Sequence, residues 1–154
     1  MTAASDTTRV LDSLRRIVRS LRESSRAAEA DLGVSGAQLF VVRALAEAPA
    51  LSLNELAART HTHQSTVSMV VKRLVARRLV ARSISARDGR RLVLRLTARG
   101  RALLARAPLA AQDALIAGLA ALASRDRRAL AAGLQRLVEA MRLHDAEPAM
   151  FFEE

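Results

Sequence analysis

Residues 52–77 read SLNELAARTHTHQSTVSMVVKRLVAR, and this stretch decides the fold. Ser52 followed by Glu55 is a capping-box pattern, which predicts the start of a short helix. Thr60–His63 predicts a tight turn, and a second helix follows over Gln64–Arg77. The apolar residues of that second helix recur at helical spacing, at Val67, Val70, Val71 and Leu74. The stretch therefore predicts a helix-turn-helix.

The sequence pattern changes from a helical to a strand period after this stretch. Residues 79–84 and 92–96 contain β-branched side chains in alternation, which predicts two short strands. Asp88-Gly89 between them is a turn signal, so the strands are expected to form a β-hairpin. Its tip is basic and carries Arg87, Arg90 and Arg91. Two helices followed by a basic hairpin make a winged helix-turn-helix, a module that suits B-form DNA.

Amphipathic helices are predicted on both sides of this module. Before it, apolar residues recur at helical spacing, at Val10, Leu14, Ile17, Val18 and Leu21. Ser35 and Gln38 form a second capping box, whose helix ends before Pro49. After the hairpin, Thr97 is predicted to cap one helix and Ser124 to cap the last helix. The Ala-rich last helices carry a further apolar stripe.

The predicted fold is mainly α with a small β-hairpin wing (α+β), and residues 1–154 form one domain. Its parts are an N-terminal dimerisation helix (7–31), the winged helix-turn-helix (35–97), C-terminal dimerisation helices (98–145) and a tail (146–154). Within the module, the helix-turn-helix covers about residues 52–77 and the wing about residues 79–97. The flanking apolar stripes predict a homodimer, because a single chain of this size could not cover them.

The charge distribution predicts a polyanionic partner. The chain carries 25 Lys and Arg against 15 Asp and Glu, a net charge of +10. Between Arg59 and Arg106 there are 13 basic residues and one acidic residue, Asp88. The positive excess therefore lies in one third of the chain, which is typical of a surface that binds nucleic acid. The three aromatic residues, all phenylalanine, are too few for base stacking of the kind used by single-strand binders.

The second helix of the pair is expected to offer polar and basic side chains opposite its apolar stripe. These are Ser65, Thr66, Met69, Lys72 and Arg73. Ser65 and Thr66 fit base edges in the major groove, whereas Lys72 and Arg73 fit phosphates. Gln64 in the first turn can bond adenine bidentately. The basic hairpin can reach an adjacent minor groove, where narrow tracts favour arginine.

Five short stretches share a pattern with a known family. They are Leu53–Ala57, Ser65–Ser68, Leu74-Val75, Leu79-Val80 and Asp88–Gly100, the last with the spacing Asp88-x-Arg90 … Leu96-Thr97-x-x-Gly100. The pattern resembles the MarR family of bacterial winged-helix regulators, over nearly the whole chain. The resemblance implies a homodimer with interleaved terminal helices and two recognition helices on a near-palindromic operator in double-stranded DNA. It also implies control by a small, often phenolic or aromatic-acid ligand, with Arg90 in the minor groove and Asp88 steadying it.

Other kinds of site have weaker signals. The sequence contains no Gly-rich phosphate loop, nucleophile elbow or pair of catalytic carboxylates, so no enzyme, catalytic residue or cofactor is predicted. His61-x-His63 lacks further metal ligands nearby, and no metal site is predicted. Arg15, Arg19 and His61 are candidates for holding an effector carboxylate. Solvent-facing arginines on an amphipathic helix are the alternative for the first two.

The predicted function is a sequence-specific, dimeric transcriptional regulator, a repressor released by a small aromatic or phenolic ligand. One alternative is a sequence-tolerant DNA-architectural protein without ligand control, which needs phosphate contacts or wedges rather than a base-reading helix. Another is a protein-binding winged helix, which needs no basic module. A polar N-terminus and the lack of a membrane-length apolar run predict a cytoplasmic protein with no membrane partner. The excess of arginine, with Lys72 the one lysine among 25 basic residues, and the Ala richness indicate a GC-rich bacterial genome. Met150–Phe152 in the tail are predicted either to dock on the partner protomer or to be disordered.

Overall fold

The computed structural model describes residues 3–85, 88–108, 110–143 and 148–152. This part of the chain contains seven helices and one two-stranded antiparallel sheet. In chain order the elements are α1 (Ala3–Leu32), α2 (Gly36–Ala46), α3 (Leu53–Arg59), α4 (Gln64–Ala76), β1 (Val80–Ile84), β2 (Leu92–Leu96), α5 (Ala98–Ala105), α6 (Ala111–Ala121) and α7 (Ser124–Ala140). The predicted fold class, mainly helical with a small hairpin, is confirmed.

Serine side chains cap the helices α2 and α3 as predicted. Ser35 Oγ accepts a hydrogen bond from Gln38 N at 3.2 Å, and Ser52 Oγ accepts one from Glu55 N at 3.3 Å. In both boxes the side chain of the third helical residue, Gln38 or Glu55, accepts a hydrogen bond from the backbone N–H of the capping serine. Two backbone amides that the helix leaves unpaired are thus hydrogen-bonded at each helix start. The predicted cap of the last helix is wrong. Helix α7 begins at Ser124 itself, and no side chain caps it.

The hairpin is joined to the chain that leads into α3. Strands β1 and β2 pair with Val80 opposite Leu96. Leu51 extends the sheet, because Leu51 N donates to Leu94 O at 3.2 Å and Leu94 N donates to Leu51 O at 2.7 Å. These two bonds fix the base of the wing relative to the helix-turn-helix.

Helix α2 forms the centre of the hydrophobic core. Eight of its eleven residues are buried, and it packs against α1, α3, α4, α5 and β2. Two ion pairs lie along its edge: Arg43 pairs with Asp113 of α6 at 3.5 Å, and Glu47 pairs with Arg59 of α3 at 2.6 Å. Burial raises the pKa of Asp113. Helix α2 therefore connects the terminal helices to the helix-turn-helix.

The close approach of α5 to the chain before β1 requires a glycine at position 100. A Cβ added to Gly100 would overlap the carbonyl oxygen of Leu79. That carbonyl is held in place, because it accepts hydrogen bonds from Thr97 N and Thr97 Oγ1, both at 3.1 Å. The first turn of α5 can therefore lie against the end of the hairpin only without a side chain at this position.

The first and last helices each leave an apolar stripe exposed. The exposed apolar residues are Val10, Leu11, Ile17 and Val18 on α1, and Leu130, Leu134, Leu137 and Val138 on α7. Every residue of α7 is exposed. Both stripes are therefore available to a partner. Among the described helices, none has the length and apolar character needed to cross a membrane.

The C-terminal segment (Pro148–Phe152) packs on its own chain. Met150 is only 4% exposed and belongs to the hydrophobic core. Phe151 and Phe152 lie beside α1, α2 and the start of α6. In the single chain this segment contacts its own helices α1 and α2.

Candidate nucleic-acid interface

Helix α4 separates its side chains into a buried and an exposed face. The apolar stripe Val67, Val70, Val71 and Leu74 is buried, as predicted. Four side chains predicted to contact DNA are exposed and form the reading face: Gln64, Ser65, Met69 and Lys72. Arg73 is half-buried at the edge of this face. The reading face thus combines an amide, a hydroxyl, a thioether and a cation, which suit base edges and phosphates.

The structure does not place Thr66 on the reading face. Thr66 is 6% exposed, and its Oγ1 donates to Pro148 O of the C-terminal segment at 3.3 Å. The expected exposure of Thr66 is therefore wrong. The physical reason is helical spacing, because Thr66 lies four residues before Val70 and so shares the side of the helix that faces the core.

Threonine hydroxyls hold the turn between α3 and α4. Thr60 Oγ1 donates to Leu56 O at 2.8 Å, and Thr62 Oγ1 donates to Thr60 Oγ1 at 2.7 Å. His61 between them adopts the left-handed conformation with φ 53°, which is costly for a residue other than glycine. The hydroxyl bonds stabilise this turn and thereby fix the direction in which α4 leaves it.

The tip of the wing is a turn closed by Asp88. Asp88 Oδ1 accepts from Arg90 N at 3.2 Å, and Asp88 O accepts from Arg91 N at 2.9 Å. The carboxylate thus binds the backbone of Arg90, whose side chain is exposed. Arg87, also predicted to contact DNA, lies outside the described residues. The geometry is compatible with an arginine projecting from a stiffened tip.

Arg91 points to α3 instead of extending from the tip. Its Nη2 forms an ion pair with Glu55 Oε2 and donates to Ser52 Oγ at 3.3 Å. The Arg91 hydrogen bond, followed by the bonds to Ser52, lowers the pKa of Glu55 to about 2. Arg91 therefore connects the wing to the capping box of α3. No periodic signal joins residues 36 positions apart, so the sequence indicated only its charge.

We expect Arg91→Ala to raise the pKa of Glu55 toward its ordinary value near 4.5. Because the pKa is depressed in the folded chain, the associated stabilisation is present above that ordinary value and is lost as the pH falls toward 2. NMR titration of the Glu55 side-chain carboxyl carbon measures the change directly. Arg90→Ala is the matched control, since it removes a neighbouring charge without touching Glu55. An unchanged titration in Arg91→Ala would contradict this assignment.

Arg77 is a positioning residue that the sequence analysis missed. Its Nη1 donates to Gln38 Oε1 at 3.0 Å, and the same oxygen accepts from Ser35 N at 3.4 Å. The guanidinium thus connects the end of α4 with the capping box of α2. This contact orients α4 on the core.

The residues predicted to hold an effector are not brought together into one cleft. Arg15 pairs with Asp12 and Arg19 pairs with Glu23, each at 2.8 Å, on the exposed side of α1. His61 is exposed in the turn. A cleft of about 460 Å³ lies instead beside the end of α2, where Pro49 and Leu96 supply apolar walls and Arg95 and Arg101 supply cations. Across the described residues, no group of three metal-binding side chains occurs.

Known proteins are similar in sequence to this chain over most of its length. The sequence model of the MarR family matches residues 32–91, from the end of α1 to the wing. The HTH-type transcriptional repressor Rv2887 of Mycobacterium tuberculosis is 34% identical over 124 residues, which cover 80% of this chain and 89% of the repressor. The chain belongs to the MarR family.

Solved structures of similar proteins agree with this assignment. BpsR of Bordetella bronchiseptica, whose DNA binding is regulated by 6-hydroxynicotinic acid, is 29% identical with a TM-score of 0.56, covering 84% of this chain and 98% of BpsR. YusO of Bacillus subtilis is 26% identical with a TM-score of 0.52, covering 91% of this chain and 99% of YusO. This MarR-family chain is a DNA-binding transcriptional regulator.

Proposed function

We propose that this MarR-family regulator is a homodimeric repressor that binds a near-palindromic operator and is released by a small aromatic or phenolic acid. The observation that carries the proposal is the reading face of α4, which lies exposed beside a hairpin with Arg90 at its tip. An exposed helix face of this composition suits the major groove, and an arginine on a hairpin suits the adjacent minor groove.

Base readout is assigned to the first turn of α4. Gln64 and Ser65 are exposed there and carry hydrogen-bonding groups, whereas Lys72 lies two turns further along and fits a phosphate. Thr66 faces the core and is not assigned to base readout. The module over residues 35–97 is thus proposed to make the DNA contacts, with both grooves contacted by one protomer.

The dimer is assigned to the helices outside the module, over residues 7–31 and 98–145. The exposed stripes on α1 and α7 offer apolar surface of the kind that obligate dimers bury. Linking two modules allows two recognition helices to lie about 34–36 Å apart, one helical turn of DNA. A two-fold axis then explains why the operator is near-palindromic.

The effector proposal has support from one relative and one cleft. BpsR, 29% identical, responds to an aromatic acid. In this chain, the cleft between α2, β2 and α5 has the volume of a small-molecule site and contains Arg95 and Arg101. Guanidinium groups bind carboxylates bidentately, and the apolar wall suits a ring. Titrating hydroxylated aromatic acids into the operator complex tests whether any of them releases the DNA.

Selection of bound duplexes from a random-sequence pool tests the main proposal. We expect recovery of an inverted repeat, and a footprint confined to it, because base readout by two modules requires two half-sites. A sequence-tolerant architectural protein would recover no motif. A protein-binding winged helix would lack the steep loss of DNA affinity with salt that phosphate contacts produce.

We expect Arg90→Ala to weaken operator binding by about 1–3 kcal/mol per wing. The loss should be larger on A·T-flanked than on G·C-flanked operators, because narrow A·T tracts concentrate negative potential. Arg90→Lys should recover only part of the affinity, since an ammonium is more strongly hydrated than a guanidinium. Fluorescence anisotropy on the two flank variants measures both effects. Equal losses on both flanks, with a lowered melting temperature, would instead assign Arg90 to the stability of the turn.

A further inference from the structure

The wing is joined to the helix-turn-helix at two points. At its base, Leu94 of β2 exchanges two backbone hydrogen bonds with Leu51. Nearer its tip, Arg91 forms the ion pair with Glu55 and donates to Ser52 Oγ at 3.3 Å. Both points lie at the cap of α3 or one residue before it, and α3 packs against α4. The wing and the reading helix are therefore connected through α3.

Arg91 is held at its backbone as well as at its side chain. Its N donates to Asp88 O at 2.9 Å, and its O accepts from Ser85 N at 2.8 Å. On the side of α3, Glu55 Oε2 also accepts from Ser52 N at 2.8 Å, so the carboxylate cannot turn away without breaking the capping box. The Arg91 side chain thus connects a fixed part of the wing to a fixed part of the helix-turn-helix.

The second point of attachment determines the tilt of the wing. Arg90 lies four residues before Leu94, about 13 Å along an extended chain. If the base alone were attached, a tilt of about 10° would move the tip by about 2 Å, a third of the width of the minor groove. Arg91 is adjacent to Arg90, so its contact with α3 opposes the tilt close to the point where the displacement is largest.

We propose that Arg91 is a positioning residue for operator binding. Its contact with the cap of α3 sets the tilt of the wing, so that Arg90 reaches the minor groove while α4 occupies the major groove. This role rests on the proposed function, because it requires Arg90 to enter a groove. It differs from the predicted role of Arg91 as a direct DNA contact, since the guanidinium here pairs with a carboxylate of its own chain rather than with a phosphate.

A charge-neutral pair of substitutions separates positioning from direct contact. Arg91→Gln removes a positive charge and Glu55→Gln removes a negative one, so the double variant keeps the net charge of +10. Glutamine can complete the capping box, as Gln38 does in α2. The two side chains are 43% and 47% exposed, so the ion pair contributes little to stability and the double variant should fold.

We expect the double variant to bind the operator recovered by selection about tenfold more weakly than the unmodified chain, because the wing is no longer preorganised. If Arg91 acted only through its charge, the unchanged net charge would preserve binding. Anisotropy titrations measure the difference, and an affinity within about twofold of the unmodified chain would overturn the proposal.

The matched control makes the same two charge changes on an ion pair at the start of α7. Arg125 and Asp126 lie 3.6 Å apart and are exposed, ahead of the apolar stripe of that helix. Arg125→Gln combined with Asp126→Asn should leave operator affinity within about twofold. A loss as large as that of the Arg91 and Glu55 double variant would overturn the proposal, because any rearrangement of charge would then have the same effect.

Adding Arg90→Ala to the double variant gives a readout that a purely structural role would not move. Once the tilt is lost, Arg90 no longer meets the groove, so Arg90→Ala should cost at most about twofold in that background. In the unmodified chain the same substitution should cost about fivefold or more. An undiminished loss in the double variant would overturn the proposal, because Arg91 would then support the fold without placing Arg90.

Failure of the proposed function would give a different result. If Arg90→Ala has no effect in the unmodified chain, and the operator and an unrelated duplex bind equally, the proposed function fails and the role of Arg91 fails with it. If Arg90→Ala weakens binding equally in the unmodified chain and in the double variant, only the role of Arg91 is overturned.

Discussion

Replacing Leu134 by aspartate is expected to leave the chain folded but monomeric and to weaken operator binding by about 100-fold or more. Leu134 lies in the exposed stripe of α7 and is 43% exposed in the single chain. A carboxylate there costs the isolated chain little, whereas in a dimer interface it would be buried without a partner. Loss of the dimer removes the gain in affinity that comes from engaging two half-sites with one molecule.

Ala132→Asp is the matched control for this substitution. Ala132 lies on the same helix two residues earlier, on the side away from the stripe, and is also exposed. Light scattering gives the oligomeric state, and anisotropy on full and half operators gives the affinity. A Leu134→Asp protein that remains dimeric and tight on the full operator would rule out α7 as the dimer surface.

The substitution Gly100→Ala is expected to lower the free energy of unfolding by about 2–3 kcal/mol. Alanine normally stabilises a helix relative to glycine, so a loss at this position must come from tertiary contact. The added methyl group would meet Leu79 O, which the two bonds from Thr97 prevent from moving aside. The first turn of α5 would then be pushed from the hairpin, and the melting temperature should fall by about 5–10 °C.

We expect Gly118→Ala in α6 to have the opposite effect and to raise the free energy of unfolding. Apart from the backbone of its own helix and its chain neighbours, no atom of the described residues lies within 4 Å of a Cβ built at Gly118, so the helix preference decides the effect. Stability should therefore rise by about 0.5–1 kcal/mol. Urea unfolding of both variants gives the comparison. Equal effects of the two substitutions would show that the contact with Leu79 is easily relieved.

Local patterns in the sequence predicted the elements well. Short-range contacts, within one or two helical turns, form the capping boxes at Ser35 and Ser52 and the apolar stripe of Val67, Val70 and Leu74. The local sequence therefore determines their geometry. The strands behave in the same way, since β2 begins and ends at the predicted residues, Leu92 and Leu96. Errors in the predicted helices and strands were confined to where each element begins or ends, as at Ser124.

The predicted reading face differs from the structure for another reason. Helical phase relative to the apolar stripe placed Thr66 on the polar face, although its spacing of four residues to Val70 puts it toward the core. Arg91 and Arg77 bind Glu55 and Gln38, which lie 36 and 39 positions away, and such distances leave no period to detect. The docking of Pro148 on Thr66 spans 82 positions and depends on the complete fold.

Because α2 lies at the centre of the core, a movement at one of its ends is transmitted to its other end. The helix has eleven residues and is therefore about 16 Å long. Close-packed interiors resist compression, so a displacement of α1 that tilts α2 moves α2 as a rigid rod. A turn of about 10° carries the far end through about 3 Å, close to the rise of one base pair along DNA. In the proposed dimer, two such helices would convert a small movement near the N-terminal helices into a mismatch with the helical repeat of the proposed operator.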